Sequence, residues 1–291
     1  HGKLMHLFLV RQGTDDVFAH LHPSRSDSVD YYAPLPDLPA GHYLVFGDVV
    51  RWSGFTETVT DTITIPDKSF LKTVGDSRPV FYYDPDDTYV ITNSVTDNKN
   101  PLTGKISIVC GKPGTEMKLA DGSTATWQHV ANTPFDANKI YPLTFLIKDP
   151  SGKPAKLQPY MGMTGHAVVM KYDGSVYVHL HPVGTYSMAS QEIIQSRINS
   201  NGKAPITPDP KRFRDSVDQL ITKIRAMSED ERNTYLNAGM KDMKGMAMPG
   251  MSNDGMVTFP YAFPSPGNYR IWVQTKRDGK ILNSAFDAVV Q

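Results

Sequence analysis

The chain has 291 residues, enough for two or three domains with real cores. Thirty basic residues balance thirty acidic ones, which removes any electrostatic case for nucleic acid or an anionic membrane as partner. No run approaches the roughly 18 to 20 apolar residues of a spanning helix, and the single cysteine, Cys110, excludes a disulfide framework and Cys-based zinc clusters.

The chain opens directly on His1, Gly2, Lys3, Leu4, Met5 and His6 without a signal-peptide pattern, which suits a processed or trimmed chain. Apolar residues around His6–Val10 and Val17–His22 predict two strands joined by a loop at Gly13, Thr14 and Asp15. A further strand follows Gly41 and Tyr43. Residues from about 68 to 134 hold short strands and Gly, Pro and Asn turns, with no topology assigned. Tyr141 to Lys148 reads as a strand, followed by a Pro150-Ser151-Gly152 turn and a return strand. A second histidine hairpin runs from His166 to His181. Asp209-Pro210 then starts a helix through Val217, Leu220, Ile221 and Ile224. Ser228 to Glu231 forms a capping box for another helix, with Gly239 as its stop. A Met-rich tail leads to the last strands.

An internal repeat organises these elements. His6, His20, His22 and Pro23 are matched by His166, His179, His181 and Pro182. Downstream, Gly41-His42-Tyr43 is matched by Gly267-Asn268-Tyr269. Two landmarks in the same order define two copies of one β module. The fold class is therefore all-β, with two immunoglobulin-like β-sandwich modules. The first covers 1–66 and is short of its opening strands; the second covers 135–291 and carries a helical, Met-rich insertion at about 190–256. Residues 67–134 form a β-rich segment between them. Either sequence upstream or another segment must complete the first sandwich.

The register brings the histidines together. A hairpin centred on Asp173-Gly174, a favoured two-residue turn, pairs residues whose numbers sum to 347, so His166 lies opposite His181. His179, two residues from His181, projects from the same face. In the first copy His6 lies opposite His22, with His20 diagonal. A lone strand histidine is ordinarily a plain polar residue, but six of nine histidines fall into this pattern. Three imidazoles on one face have the spacing of a shared metal ion with bonds of about 2 Å.

Imidazole alone does not name the metal. Met240, Met243, Met246, Met248, Met251 and Met256 form a run interrupted by Gly245, Pro249 and Gly250, unlike a continuous core helix. Thioethers select Cu(I) over zinc, so copper, as Cu(I) or Cu(II), is the expected ion. Met161 and Met163, just ahead of His166, offer soft donors to the second site.

The stretch from Tyr160 through His166 to Met170, the His179/His181-Pro182 motif and the strand from Phe263 to Gln274 resemble bacterial secreted proteins with YtkA-like or FixH-like immunoglobulin-type domains, related in style to copper-resistance proteins of the CopC type. The resemblance covers 1–66 and 140–291. It implies a seven-stranded type of sandwich, a periplasmic or secreted location, and copper handling. The long insertion departs from the minimal domain. An N-terminal histidine such as His1 also chelates copper in such proteins, although an accidental chain start explains it as well.

No phosphate loop, nucleophile elbow or His-Glu-x-x-His motif is present. Asp15, Asp16, Asp86 and Asp87 read as turn formers. Binding thus outranks catalysis. The leading class is an extracytoplasmic copper carrier, buffer or chaperone. A structural or assembly protein completed by strand addition from a neighbouring envelope protein or a second copy stands next. A copper oxidase or monooxygenase stands third.

Overall fold

A computed structural model of the chain describes residues 2–25, 29–67, 83–96, 110–201, 203, 208–241 and 254–291. In the first part of the chain the strands are β1 (His6–Arg11), β2 (Val17–Leu21), β3 (Ser24–Arg25), β4 (Tyr31–Tyr32), β5 (Gly41–Val50), β6 (Thr56–Ile65) and β7 (Thr88–Ile91). β8 (Glu116–Lys118), β9 (Thr124–Trp127) and β10 (Ile140–Lys148) follow, then the second hairpin of β11 (His166–Lys171) and β12 (Tyr177–Leu180). Three helices come next: α1 (Met188–Asn199), α2 (Pro210–Arg225) and α3 (Glu229–Lys241). β13 (Met256–Ala262), β14 (Gly267–Arg277) and β15 (Lys280–Val290) close the chain. The fold is all-β with few helices, as expected.

Three antiparallel sheets carry the structure. The first has the order β6-β5-β1-β2-β7, the second β12-β11-β14-β15 and the third β13-β10-β9-β8. Strand alternation gives the second sheet two apolar faces. One, with Val169, Ile271 and Phe286, packs on Trp127, Phe145 and Phe259 of the third sheet. The other, with Val168, Met170, Trp272 and Ala285, packs on Phe8, Val10, Phe18 and Phe46 of the first sheet. The second sheet is thus the middle layer, and the sheet of the first copy is completed by that of the second. The segment between the copies supplies β7 to the first sheet and β8 and β9 to the third.

The repeat is visible in detail. Gly41 and Gly267 open β5 and β14, and both have φ in the region that favours glycine, 154° and 141°. Just after each, a tyrosine hydroxyl donates back to a carbonyl four residues earlier: Tyr43 to Pro39 at 2.6 Å and Tyr269 to Ser265 at 2.8 Å. The two copies meet reciprocally. Phe18 of the first stacks on Trp272 of the second at 4.8 Å, and the matched pair, Tyr177 on Phe46, stacks at 3.9 Å. In each case a β2 or β12 ring meets a β5 or β14 ring from the other copy. This is the geometry of a two-fold dimer interface, folded within one chain.

Some local expectations change. The second hairpin keeps the predicted register, with Ala167 opposite Leu180 and Val168 opposite His179. Its loop is wider than two residues, however: Lys171 N–H bonds Val176 O, and only Gly174, not Asp173, has positive φ. The Asp173 carboxylate instead accepts from the Ser175 N–H and hydroxyl, which holds a four-residue loop. The return strand after Gly152 is reduced to a single bridge between Lys148 and Pro154. Asp209 caps α2 through the Arg212 N–H, and Ser228 and Glu231 form the expected box. Within α2, Ile221 and Ile224 are buried, whereas Leu220 is exposed. The helix after the box runs past Gly239 to Lys241. Helix α1 was not foreseen; Ser187 caps it by accepting from the Ser190 N–H.

The aromatic stacks lock the first and second sheets together. Trp272→Ala and Phe18→Ala should each cost about 3–5 kcal/mol in denaturant unfolding. The double variant should lose about 0.5–1.5 kcal/mol less than the sum, because the ring pair is shared. Strict additivity would show that the stack carries no coupling of its own.

Candidate metal centre

All six hairpin histidines project into the layer between the first and second sheets. His6 and His20 lie on the β1 and β2 face that carries Phe8 and Phe18, and His22 continues the same alternation. Leu7 opposite Leu21 sets the register that brings His6 across from His22. The second hairpin repeats this with His166, His179 and His181. Every one is buried, His20 and His166 completely. Two sets of possible metal-ligand atoms result, His6/His20/His22 and His166/His179/His181, each set within 4.8 Å of one another.

The two sets touch. The His6 ring centroid stands 5.1 Å from those of His20, His22 and His179, and 6.3 Å from that of His166. His20 lies 5.7 Å from His179. Six imidazoles therefore make one cluster, which neither hairpin forms alone.

The surroundings aim the nitrogens. Gln274 donates its amide N–H to Asn283, which in turn donates to Thr88, so the Gln274 oxygen is turned to accept from His20 Nδ1 at 2.7 Å. His20 Nε2 then faces His6 Nδ1 at 2.9 Å. Two nitrogens each 2.0–2.1 Å from one ion and at right angles to each other would stand about 2.9 Å apart. His22 Nδ1 donates to Asp87 at 2.8 Å, and His179 Nδ1 stands 3.4 Å from Asp48. These are the carboxylate–histidine pairs that orient metal ligands. Asp48 and Gln274 each lie seven residues beyond their glycine, Gly41 and Gly267, and so occupy matched positions of the repeat. Each serves the central histidine of the opposite copy.

Five nitrogens of the cluster have nothing to bond among the described residues. His22 Nε2, both nitrogens of His166, His179 Nε2 and His181 Nδ1 are buried with no hydrogen-bond partner among the described residues. An unpaired buried polar atom costs roughly 1–3 kcal/mol, so a cluster of them signals a missing ligand. Burial first, and then neighbouring imidazoles, hold His6, His20, His22, His166 and His181 well below the usual histidine range. Neutral rings with available lone pairs are what a metal ion requires.

A third group, His22 with Asp84 and Asp87, also has suitable spacing. One of its members, Asp84, is paired with Lys3, which also pairs with Asp86 at 2.8 Å. Asp86 and Asp87 thus do more than form a turn. Tyr160 touches both triads: its ring meets His166 edge-on at 5.1 Å and His20 at 6.3 Å, and its hydroxyl donates to Asp86 O.

The methionines are less informative. Met161 and Met163 are buried in the bridge turn that leads into His166, with Tyr160 and Met163 paired. Met240 falls in α3, while Met243, Met246, Met248 and Met251 lie outside the described residues, as does His1. Met256 opens β13 and is exposed. His42 bonds Thr64, and His129 stacks on Phe135, both apart from the cluster. Cys110 is half-buried, and burial pushes its thiol up. Asp48, Asp87, Gln274 and Tyr160 were missed by sequence reasoning; only the matched positions of Asp48 and Gln274 gave a signal.

Fold and site together define an all-β protein with a buried all-histidine cluster suited to metal. A family model described as a domain of unknown function, DUF8832, matches residues 118–204. That span, under a third of the chain, contains the second triad and not the first. No curated protein and no solved structure matches the chain.

Without metal, the cluster should make stability acid-sensitive. The five depressed histidines stay neutral when folded but take up protons near pH 6.5 when unfolded, so their contribution is complete above pH 6.5 and is lost as the pH falls. Burial pushes Asp15 and Asp87 up to about 7, which works in the opposite direction below that pH. Five groups against two leave a net loss of about 4 kcal/mol per pH unit below 6.5. Chelator-treated protein should therefore show a steep fall in unfolding midpoint between pH 6.5 and 5.5. A flat profile there would show that the rings are not held neutral.

Proposed function

We propose that this chain is an extracytoplasmic copper-binding protein that holds two copper ions side by side, one on each histidine triad. The observation that carries the reading is the set of buried imidazole nitrogens with no hydrogen-bond partner among the described residues, in two histidine triads whose ligand atoms each lie within 4.8 Å of one another. Three neutral imidazoles suit Cu(I) and Cu(II), and zinc competes for the same donors. The Met240–Met251 run adds soft thioethers that favour Cu(I). Placement outside the cytoplasm rests on the likeness of the histidine and Gly-x-Tyr motifs to secreted copper proteins.

The burial of the rings favours a resident pair of ions over a freely exchanging cargo. Transfer between carriers proceeds by exposed ligand exchange, whereas His20 and His166 have no solvent-accessible surface.

Copper titration of metal-free protein should give two equivalents per chain. His20→Ala and His179→Ala should each remove one. Copper at 100 times its dissociation constant should stabilise the native state by about 2.7 kcal/mol per site, visible as a rise in Tm. Asp48→Asn should weaken the second site about 10- to 100-fold by disturbing His179 while leaving its three nitrogens in place. Wild-type stoichiometry and affinity in the His20→Ala/His179→Ala double variant would defeat the reading.

A further inference from the structure

A cavity of about 850 Å³ opens onto one side of the histidine cluster. It reaches His6 of the first triad and both His179 and His181 of the second. These three histidines retain 8%, 7% and 4% of their surface, while His20 and His166, on the far side, retain none. The centre thus has one accessible side, and a molecule there meets histidines of both triads. Single-ion storage needs no such chamber.

The walls mix apolar with charged side chains, Lys3, Arg25, Asp48, Arg51, Glu192 and Arg214 standing among the aromatic and aliphatic ones. Trp52 and Phe213 line the cavity with Tyr31, Tyr177 and Val50. Trp52 and Phe213 are 39% and 41% exposed, leaving ring surface for a guest. Helices α1 and α2 frame this side. Arg197 of α1 donates to Ser53 O, beside Trp52, and α2, which carries Phe213, is tied to β3, which pairs with β4 in a small separate sheet, by the Arg25–Asp218 ion pair and by Arg225 to Ser24. The insertion that separates the two landmarks of the second copy thus builds the chamber.

We propose that this cavity is the substrate chamber of a dinuclear oxidase, in which dioxygen is reduced at the copper pair by a small phenolic reductant of the ortho-diphenol class. The inference rests on the copper reading of the same site. The reductant must supply electrons in pairs, carry oxygen atoms able to reach a metal, and present an apolar ring to Trp52 and Phe213; an ortho-diphenol does all three. Two diphenols each break two O–H bonds, release two electrons and two protons, and become ortho-quinones as their two C–O bonds become double. One dioxygen takes up the four electrons and four protons and leaves as two waters. Copper held by the two triads would supply the one-electron and oxygen chemistry, while the chain would position the reactants.

The test uses the full chain loaded with copper, 4-tert-butylcatechol as probe and an oxygen electrode, with the same concentration of free copper as control. The expected result is oxygen uptake above the control, one dioxygen for every two diphenols, with quinone appearing in step. Trp52→Ala and Phe213→Ala should keep two coppers and raise KM by about three- to tenfold, the loss of one aromatic contact. His179→Ala should abolish uptake. Two bound coppers with no uptake above control would overturn the oxidase and leave the copper reading standing. Failure to bind copper would overturn both. Uptake with unchanged KM in both cavity variants would place the chemistry elsewhere and also overturn the proposal.

Discussion

The face-to-face packing of the two repeat copies imposes the constraint on which the rest of the structure depends. Each copy offers a strand pair with aromatic rings toward one end and three imidazoles toward the other. Phe18 on Trp272 and Tyr177 on Phe46 fix the apolar end. Once these stacks form, the histidines of both copies are forced into the same dry layer. Burial of an aromatic side chain is worth a few kcal/mol, comparable with the cost of leaving imidazole nitrogens unpaired. The fold therefore tolerates a polar cluster that it does not itself satisfy. In the proposed copper form, the ions satisfy it.

The reciprocal packing also explains how the nitrogens are aimed. A lone hairpin could gather three imidazoles on one face but could not orient them, because ring rotation about χ2 is broad. The orienting groups come from across the interface: Gln274 for His20 and Asp48 for His179. Neither copy builds a finished site without the other. This couples folding, packing and site geometry more tightly than two separate sandwiches would.

Much of this was legible in the sequence, and the limits have physical causes. Strand register follows from alternation and loop position, so His166 opposite His181 and His6 opposite His22 could be read directly. The capping box at Ser228 and Glu231 is a local signature, so it too was visible. The meeting of the two triads was not, because sheet-on-sheet packing depends on which apolar face finds which partner. Val168 and Val169 look alike in sequence yet face different sheets. Asp87 was hidden differently: it pairs with His22 across 65 residues, and nothing local distinguishes it from a turn former.

The two triads are matched but not identical, and the difference bears on charge. Asp48 brings a carboxylate to His179, whereas its counterpart Gln274 brings a neutral amide to His20. The first triad recovers a carboxylate through Asp87, which lies in the segment between the copies and bonds His22. Each triad thus has one acid behind one ring, supplied from unrelated parts of the chain. Two cations close together in a low-dielectric layer repel strongly, and neutral imidazoles cannot offset that charge. In the proposed copper form, a carboxylate on each triad would divide the compensation between the two positions. The amide at Gln274 would then keep excess negative charge from the completely buried side of the cluster, where His20 and His166 lie. Asp48 lines the cavity, where solvent has access.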